Sequence, residues 1–333
     1  MRNKYTPPFT LSAGAVSLVA EIAVLSERFT ISLGRRDALR LHKANRVKTI
    51  QASLAIEGNG LSESQVTAIL EGRRVVAPLR EVQEVRNAIA AYDLYPELDP
   101  FSVRDLLRAH RVMMSALADD AGAFRAGGAG VTDGASVIHV APPAGRVPAL
   151  MRDLFYWLKN AKDHLLVRSC VFHYEFEFIH PFSDGNGRMG RLWQSLILGK
   201  FHPFFQYLPV ETMIHRNQRK YYDAINRSTR NADCGVFVEF ILKEILHALK
   251  ARPQMPLGRR GAAGGGVNGG VNGGVSDVLA YIARHAGCGA GEIAGALGVP
   301  LRTVQRRLAA LKGGGLIEFR GAPKNGGYWR LRP

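Results

Sequence analysis

Residues 180–191 read HPFSDGNGRMGR and bring a base, a hard anion and two guanidinium groups into one short stretch. His180 has an ordinary pKa of about 6.5, which suits it to take a proton from an attacking hydroxyl at neutral pH. Asp184 offers a hard oxygen ligand. Mg2+ at phosphates is usually held by one or two carboxylates plus phosphate oxygens. Gly185 and Gly187 remove Cβ atoms where backbone must come close to a ligand. Residues 191–198 have helical character, so the glycines mark a helix start, whose unpaired N–H groups and dipole attract an anion. Arg188 and Arg191 stand three apart and leave that helix from one face. Two such forks aimed at one place suit a polyphosphate better than a single carboxylate.

This order resembles the signature of the Fic family, HPF-x-[D/E]-GNGR-x-x-R, at every fixed position. The resemblance implies a protein adenylyltransferase that moves AMP from ATP, with Mg2+, onto Ser, Thr or Tyr hydroxyls of target proteins and of itself. It makes His180 the general base and Asp184 the Mg2+ ligand. It places the α- and β-phosphates on Gly185 to Gly187 and the outer phosphates on Arg188 and Arg191. The nucleotide-binding stretch is then Gly185, Asn186, Gly187, Arg188, Met189, Gly190 and Arg191. A related branch that moves a phosphoryl group carries Lys where this chain has Gly187; with Gly, the α-phosphate should lie beside His180 and pyrophosphate should leave. A family Tyr packs near the adenine, and spacing from His180 selects Tyr222. Removal of AMP and use of another nucleotide are the alternatives among enzymes. A DNA-binding regulator whose core senses nucleotide is the alternative from another class.

The elements that must position these groups can be read upstream. A helix from about Asp37 to Glu57 is expected, with Leu39, Val47, Ile50 and Leu54 as its apolar stripe and Gly58 as its stop. Ser53 and Glu57 lie one turn apart on it, and residues 53–58 resemble the family's inhibitory signature, [S/T]-x-x-x-E-[G/N]. That resemblance implies that the Glu57 carboxylate occupies Arg191 and leaves ATP in an unproductive pose. In some family members the same Glu positions water to remove AMP. Phe124, Arg125 and the run from Val131 to Val140 look like the family's flap, a hairpin turning near Gly134 that would take a target strand by main-chain pairing. Ala141 to Met151 is expected to be the loop after it. His173 and Glu177 stand at i, i+4 like a metal pair, but no third ligand is evident and Phe172, Phe176 and Phe178 point to a packed face, so both are read as structural.

At 333 residues the chain should form two or more domains. The fold class expected is mainly α: an N-terminal helical region with the inhibitory helix (1–95), an all-α Fic core with a β-hairpin flap (96–250), a glycine-rich linker (251–275) and a small winged helix-turn-helix (276–333). The linker cannot bury a core and should behave as a tether. Residues 251–333 carry twelve Lys/Arg against three Asp/Glu, a charge of +9 out of +16 for the chain. DNA is therefore a candidate partner of 276–333, with Arg302, Gln305, Arg306 and Arg307 on or beside the third helix and Arg320 and Lys324 in the wing. Protein docking is the alternative. A homo-oligomer is compatible with the sequence. No run of about 18 apolar residues is present, so no membrane span is expected. The first 20 residues faintly resemble a signal peptide, but Glu21 favours an amphipathic helix from Leu11 to Phe29. Cys170, Cys234 and Cys288 form no disulfide or zinc pattern, which fits the cytoplasm.

Overall fold

The computed structural model describes residues 5–32, 35–133, 136–208, 210–251, 274–313, 316–322 and 326–331. The chain divides into two compact units, Met1–Gly258 and Arg259–Pro333. Most of the expected linker, residues 252–273, lies outside the described residues, as do Gly134 and Lys324.

The first unit opens with α1 (Ala13–Ser32) and α2 (Arg35–Ile56). The Ser12 hydroxyl accepts the Ala15 N–H, which sets the start of α1. Val47, Ile50 and Leu54 are buried as their spacing requires, while the Leu39 side chain lies outside the described residues. α2 stops at Ile56, and Gly58 turns the chain at φ +90°. Asn59 then anchors the turn, donating to the Glu81 carbonyl and the Glu84 carboxylate. α3 (Glu63–Leu70) is capped reciprocally by Ser62 and Gln65. α4 (Leu79–Asp93) and α5 (Val103–Met113) follow, then the antiparallel hairpin β1 (Gly130–Asp133) and β2 (Ser136–Val140), with a register shift between Val131 and Thr132.

The loop is shorter than the expected span from Ala141 to Met151. After a 3-10 turn at Ala144–Arg146, α6 (Val147–Asn160) begins, with Pro148 in its first turn. Proline is tolerated there because the N–H it lacks would have no intrahelical partner. α7 (Leu165–Ile179) and α8 (Asn186–Phe201) form the centre. α7 is buried nearly all round, as befits a helix apolar on every face. α9 (Val210–Arg216), α10 (Gln218–Asn231) and α11 (Gly235–Lys250) complete the unit. Ile22, Ile50 and Leu54 share one core with Phe172 and Trp193, so the boundary drawn at 95/96 crosses continuous packing.

The second unit has α12 (Gly274–Arg284), α13 (Ala290–Leu297), α14 (Leu301–Gly313) and the antiparallel pair β3 (Ile317–Arg320) and β4 (Gly327–Arg330). Its own core includes Val278, Ile282, Ile293, Val304, Leu308 and Leu311. Among the described residues no helix is long and apolar enough to cross a membrane.

Candidate active site

His180 follows α7 directly and takes the left-handed conformation, φ 50° and ψ 63°. A non-glycine residue there is uncommon, and the surroundings hold it. Its N–H donates to the Phe176 carbonyl at 2.9 Å, and its carbonyl accepts Arg125 Nε at 2.7 Å. The Arg125 guanidinium also donates to the carbonyls of Gly127, Pro142 and Ile179. This buried cation therefore ties both ends of the hairpin segment to the His180 turn. The sequence showed Arg125 only as part of the flap; nothing in its neighbours revealed a clamp made of distant carbonyls.

The loop after His180 is stapled by Asn186. Its side chain accepts the Phe182 N–H at 2.9 Å and donates to the Phe182 carbonyl at 2.8 Å. Gly185 caps α8 at φ +84°, where a Cβ would also lie 2.7 Å from Met114 Sδ. The first amides of α8 are left without intrahelical acceptors, which makes an anion site. His110 supports the loop from behind. Its Nδ1 accepts the Gly122 N–H, so Nε2 carries the proton and donates to the Asp184 carbonyl at 3.0 Å. Burial lowers the His110 pKa, which keeps the ring neutral where it stacks on Phe182.

The two arginines do not converge on one place. Arg188 Nη2 donates to Asp184 Oδ1 at 2.9 Å. Arg191 instead reaches Ser53 and Glu57: Nε to Ser53 Oγ at 3.1 Å, and Nη2 to the Ser53 carbonyl at 2.9 Å and Glu57 Oε1 at 2.7 Å. Each guanidinium has the carboxylate within its own reach. This contact passes close to Gly187, where a Cβ would stand 2.5 Å from Glu57 Oε1.

Met189 is fully buried in the core, and a Cβ on Gly190 would sit 2.7 Å from Glu177 and 3.3 Å from Phe176. These two residues of the expected nucleotide-binding stretch let α8 lie close against α7. The Asn186 side chain is likewise committed to the loop, so it would meet a ligand only through its amide.

A cavity of about 160 Å³ is lined by Glu57, Glu177, His180, Gly187, Arg191 and Tyr222, among others. Of the tyrosine pair, Tyr222 is 39% exposed, whereas Tyr221 is buried and bonds His173 Nε2 at 3.0 Å. His173 is wholly buried, and burial pushes its pKa down to about 4. Glu177 was expected to be structural, and the structure puts it on the cavity wall. Helical spacing located its turn of α7, but the pairing of α7 with α8 decided what it faces. Its Oε1 is buried without a hydrogen-bond partner, 3.8 Å from His173 Nε2. Among the described residues no group of three or more His, Cys, Asp or Glu could hold a metal ion.

Burial raises the Glu177 carboxyl to about 7, with Arg191 opposing the shift. Against an unfolded value of 4.5, the folded chain then holds an extra proton between these two pH values. Stability should fall as pH rises through that window and stay lower above it. Glu177→Gln is expected to melt higher than the parent near pH 8 and level with it near pH 4, as read by calorimetry. A variant less stable than the parent at pH 8 would contradict this.

Residues 100–198 match the Fic/DOC family. A crystal structure of a Fic family protein from Desulfovibrio desulfuricans is 40% identical, with a TM-score of 0.73 and 99% of each chain covered. The protein adenylyltransferase Fic of Aedes aegypti is 31% identical over 214 residues, 61% of this chain and 40% of that protein. The protein adenylyltransferase fic-1 of Caenorhabditis elegans is 34% identical over 207 residues, 57% of this chain and 38% of that protein. The chain thus spans about two-fifths of the length of these curated relatives.

Proposed function

The chain belongs to the Fic family, and from that we propose that it is a protein adenylyltransferase, restrained by Glu57. The observation that carries this reading is the single cavity onto which His180, Gly187 and Arg191 all open. In the proposed reaction His180 takes the proton from a Ser, Thr or Tyr hydroxyl of a target protein. The hydroxyl oxygen bonds to the α-phosphorus of ATP, the bond from that phosphorus to the bridging oxygen breaks, and pyrophosphate leaves. The amides opening α8 hold phosphate oxygens by aimed N–H dipoles, and a preorganised donor set of this kind stabilises charge developing in the transition state. Arg188 and Arg191 are the cations for the outer phosphates, once each exchanges its carboxylate for phosphate oxygens. Tyr222 supplies an aromatic wall for the base.

Asp184 fits a Mg2+ ligand: its carboxylate is 44% exposed, and among the described residues Oδ2 has an ion-pair contact only with Arg80, at 3.5 Å. A single carboxylate is enough where phosphate oxygens complete the shell, and the ion would neutralise phosphate charge. Ser53 and Glu57 form the brake, since the carboxylate occupies the Arg191 guanidinium. The test is transfer of label to protein from α-labelled but not γ-labelled ATP, with the modified hydroxyl mapped by mass spectrometry. Transfer from γ-labelled ATP alone would replace this reading with phosphoryl transfer. The three buried, free cysteines support a reducing compartment such as the cytoplasm.

A second activity for the C-terminal unit is favoured by its surface. Arg302, Gln305 and Arg306 are exposed on α14, while Val304 and Leu308 of the same helix fill the core. This leaves a cationic face for DNA phosphates and bases in the manner of a winged helix-turn-helix. Binding of the full chain to mixed genomic fragments should weaken steeply with salt, because each neutralised phosphate releases counterions. Arg302→Ala with Arg306→Ala should lower affinity at least about tenfold at low salt in a gel shift. Unchanged affinity in that double variant would leave protein docking as the role of the face.

A further inference from the structure

A second cavity, of about 150 Å³, has no lining residue in common with the His180 pocket. Its walls include Arg46 and Thr49 of α2, Tyr92, Tyr95, Phe205 and, from the first turn of α9, Glu211. Glu211 is wholly buried. Its Oε1 accepts the Tyr92 hydroxyl at 2.9 Å and the Ser195 hydroxyl at 3.1 Å, but Oε2 has no hydrogen-bond partner among the described residues. A buried carboxylate oxygen with no donor is costly and rarely left so.

The Glu211 main-chain N–H acts on the carboxylate, and Arg46 Nε on the same wall is itself buried without a partner, but no hydrogen bond to Oε2 forms among the described residues. Tyr95 gives its hydroxyl hydrogen to the Ser195 carbonyl at 2.7 Å. Arg46 is engaged with Asp93 at 2.7 Å and with the Ile89 carbonyl at 3.2 Å. Arg191 also acts on Glu211 electrostatically, but its guanidinium is held by Ser53 and Glu57. Arg46 is paired with Asp93 and Arg191 with Glu57, so among the described residues Glu211 forms no ion pair of its own. Burial holds its carboxyl above the usual range. Three rings, Tyr92, Tyr95 and Phe205, line it beside Pro96, Gln206 and Leu208, and a cavity of this volume is the size that accepts a benzene ring.

We propose that this cavity is a binding site for a small arylalkyl amine, whose ammonium group pairs with Glu211 Oε2 while its ring lies against Tyr92, Tyr95 and Phe205. The cation also gains from the faces of the surrounding rings. One further contact places the site in the molecule's wiring. Ser53 is within hydrogen-bonding reach of Tyr92, so the anchor Glu211 joins through Tyr92 to the residue that holds Arg191.

Benzylamine is the probe and benzyl alcohol its uncharged counterpart, titrated into the full chain near neutral pH by calorimetry and ligand-observed NMR. Benzylamine should bind at least about tenfold more tightly than the alcohol, the equivalent of about 1.4 kcal/mol. Glu211→Gln keeps the shape of the site, removes the charge and should abolish that preference. Thr49→Phe, at a partly exposed position on α2, fills the cavity and should abolish benzylamine binding; it serves if Glu211→Gln does not fold. Equal affinity for the two probes overturns the proposal, as does benzylamine binding unchanged in either variant. Failure of benzylamine to bind up to about 10 mM, an affinity weaker than about 3 kcal/mol, overturns it too.

Discussion

In a Glu57→Gly background, His180→Ala is expected to reduce label transfer from α-labelled ATP by about 10²–10⁴-fold, the range for losing a positioned general base. A protein hydroxyl is a weak nucleophile at its ordinary pKa, so attack needs a group to take its proton. The imidazole is placed for that task by the left-handed turn after α7 and by Arg125 on the His180 carbonyl. ATP binding should survive the change, because the phosphates are assigned to the α8 amides and the two arginines rather than to the ring. Calorimetric titration of ATP checks that half of the prediction, and autoradiography checks the other. Undiminished labelling in His180→Ala would sink the mechanism. Loss of labelling together with loss of ATP binding would place His180 in the nucleotide site instead of the proton path.

Glu57→Gly should raise labelling at least about tenfold over the parent, the worth of one charge-assisted hydrogen bond of about 1.5 kcal/mol on Arg191. Stability should move the other way. Arg191 is 2% exposed, and among the described residues its remaining hydrogen-bond acceptors would be the oxygens of Ser53. Removing one partner of a fully buried pair costs about 3–5 kcal/mol, whereas an exposed pair is worth about 1 kcal/mol or less. Glu57 is 37% exposed, so a loss of about 1–3 kcal/mol is expected, read as a lower midpoint in urea. Activity up with stability down separates a brake from a residue that only supports the fold. Adding Arg191→Ala should erase the gain, since both changes act through one contact and so should not be additive. If Glu57→Gly is flat or less active, the carboxylate takes part in catalysis, as the reaction that removes AMP would require.

Residues 180–191 carried their chemistry in plain order because a helix start needs its glycines, its cations and its base within a few positions of one another. The same locality made α2, its end near Gly58 and the basic face of α14 legible, since helical period and capping are short-range properties. Partnership across the fold was not legible in this way. Arg188 and Arg191 share a spacing, yet one meets Asp184 and the other Glu57, because only packing decides which carboxylate lies within reach of each. Met189 and Gly190 stand inside the motif but serve the contact of α8 with α7. Glu177 was read as part of a packed face, and the pairing of those helices turned it onto the cavity. Arg125 and His110 gave no local sign, because their partners are carbonyls and an amide brought from distant segments. Sequence by itself determined which groups could act and on which elements they stand. Tertiary structure decided what each one touches, because burial and contact between remote segments are set only when the helices pack.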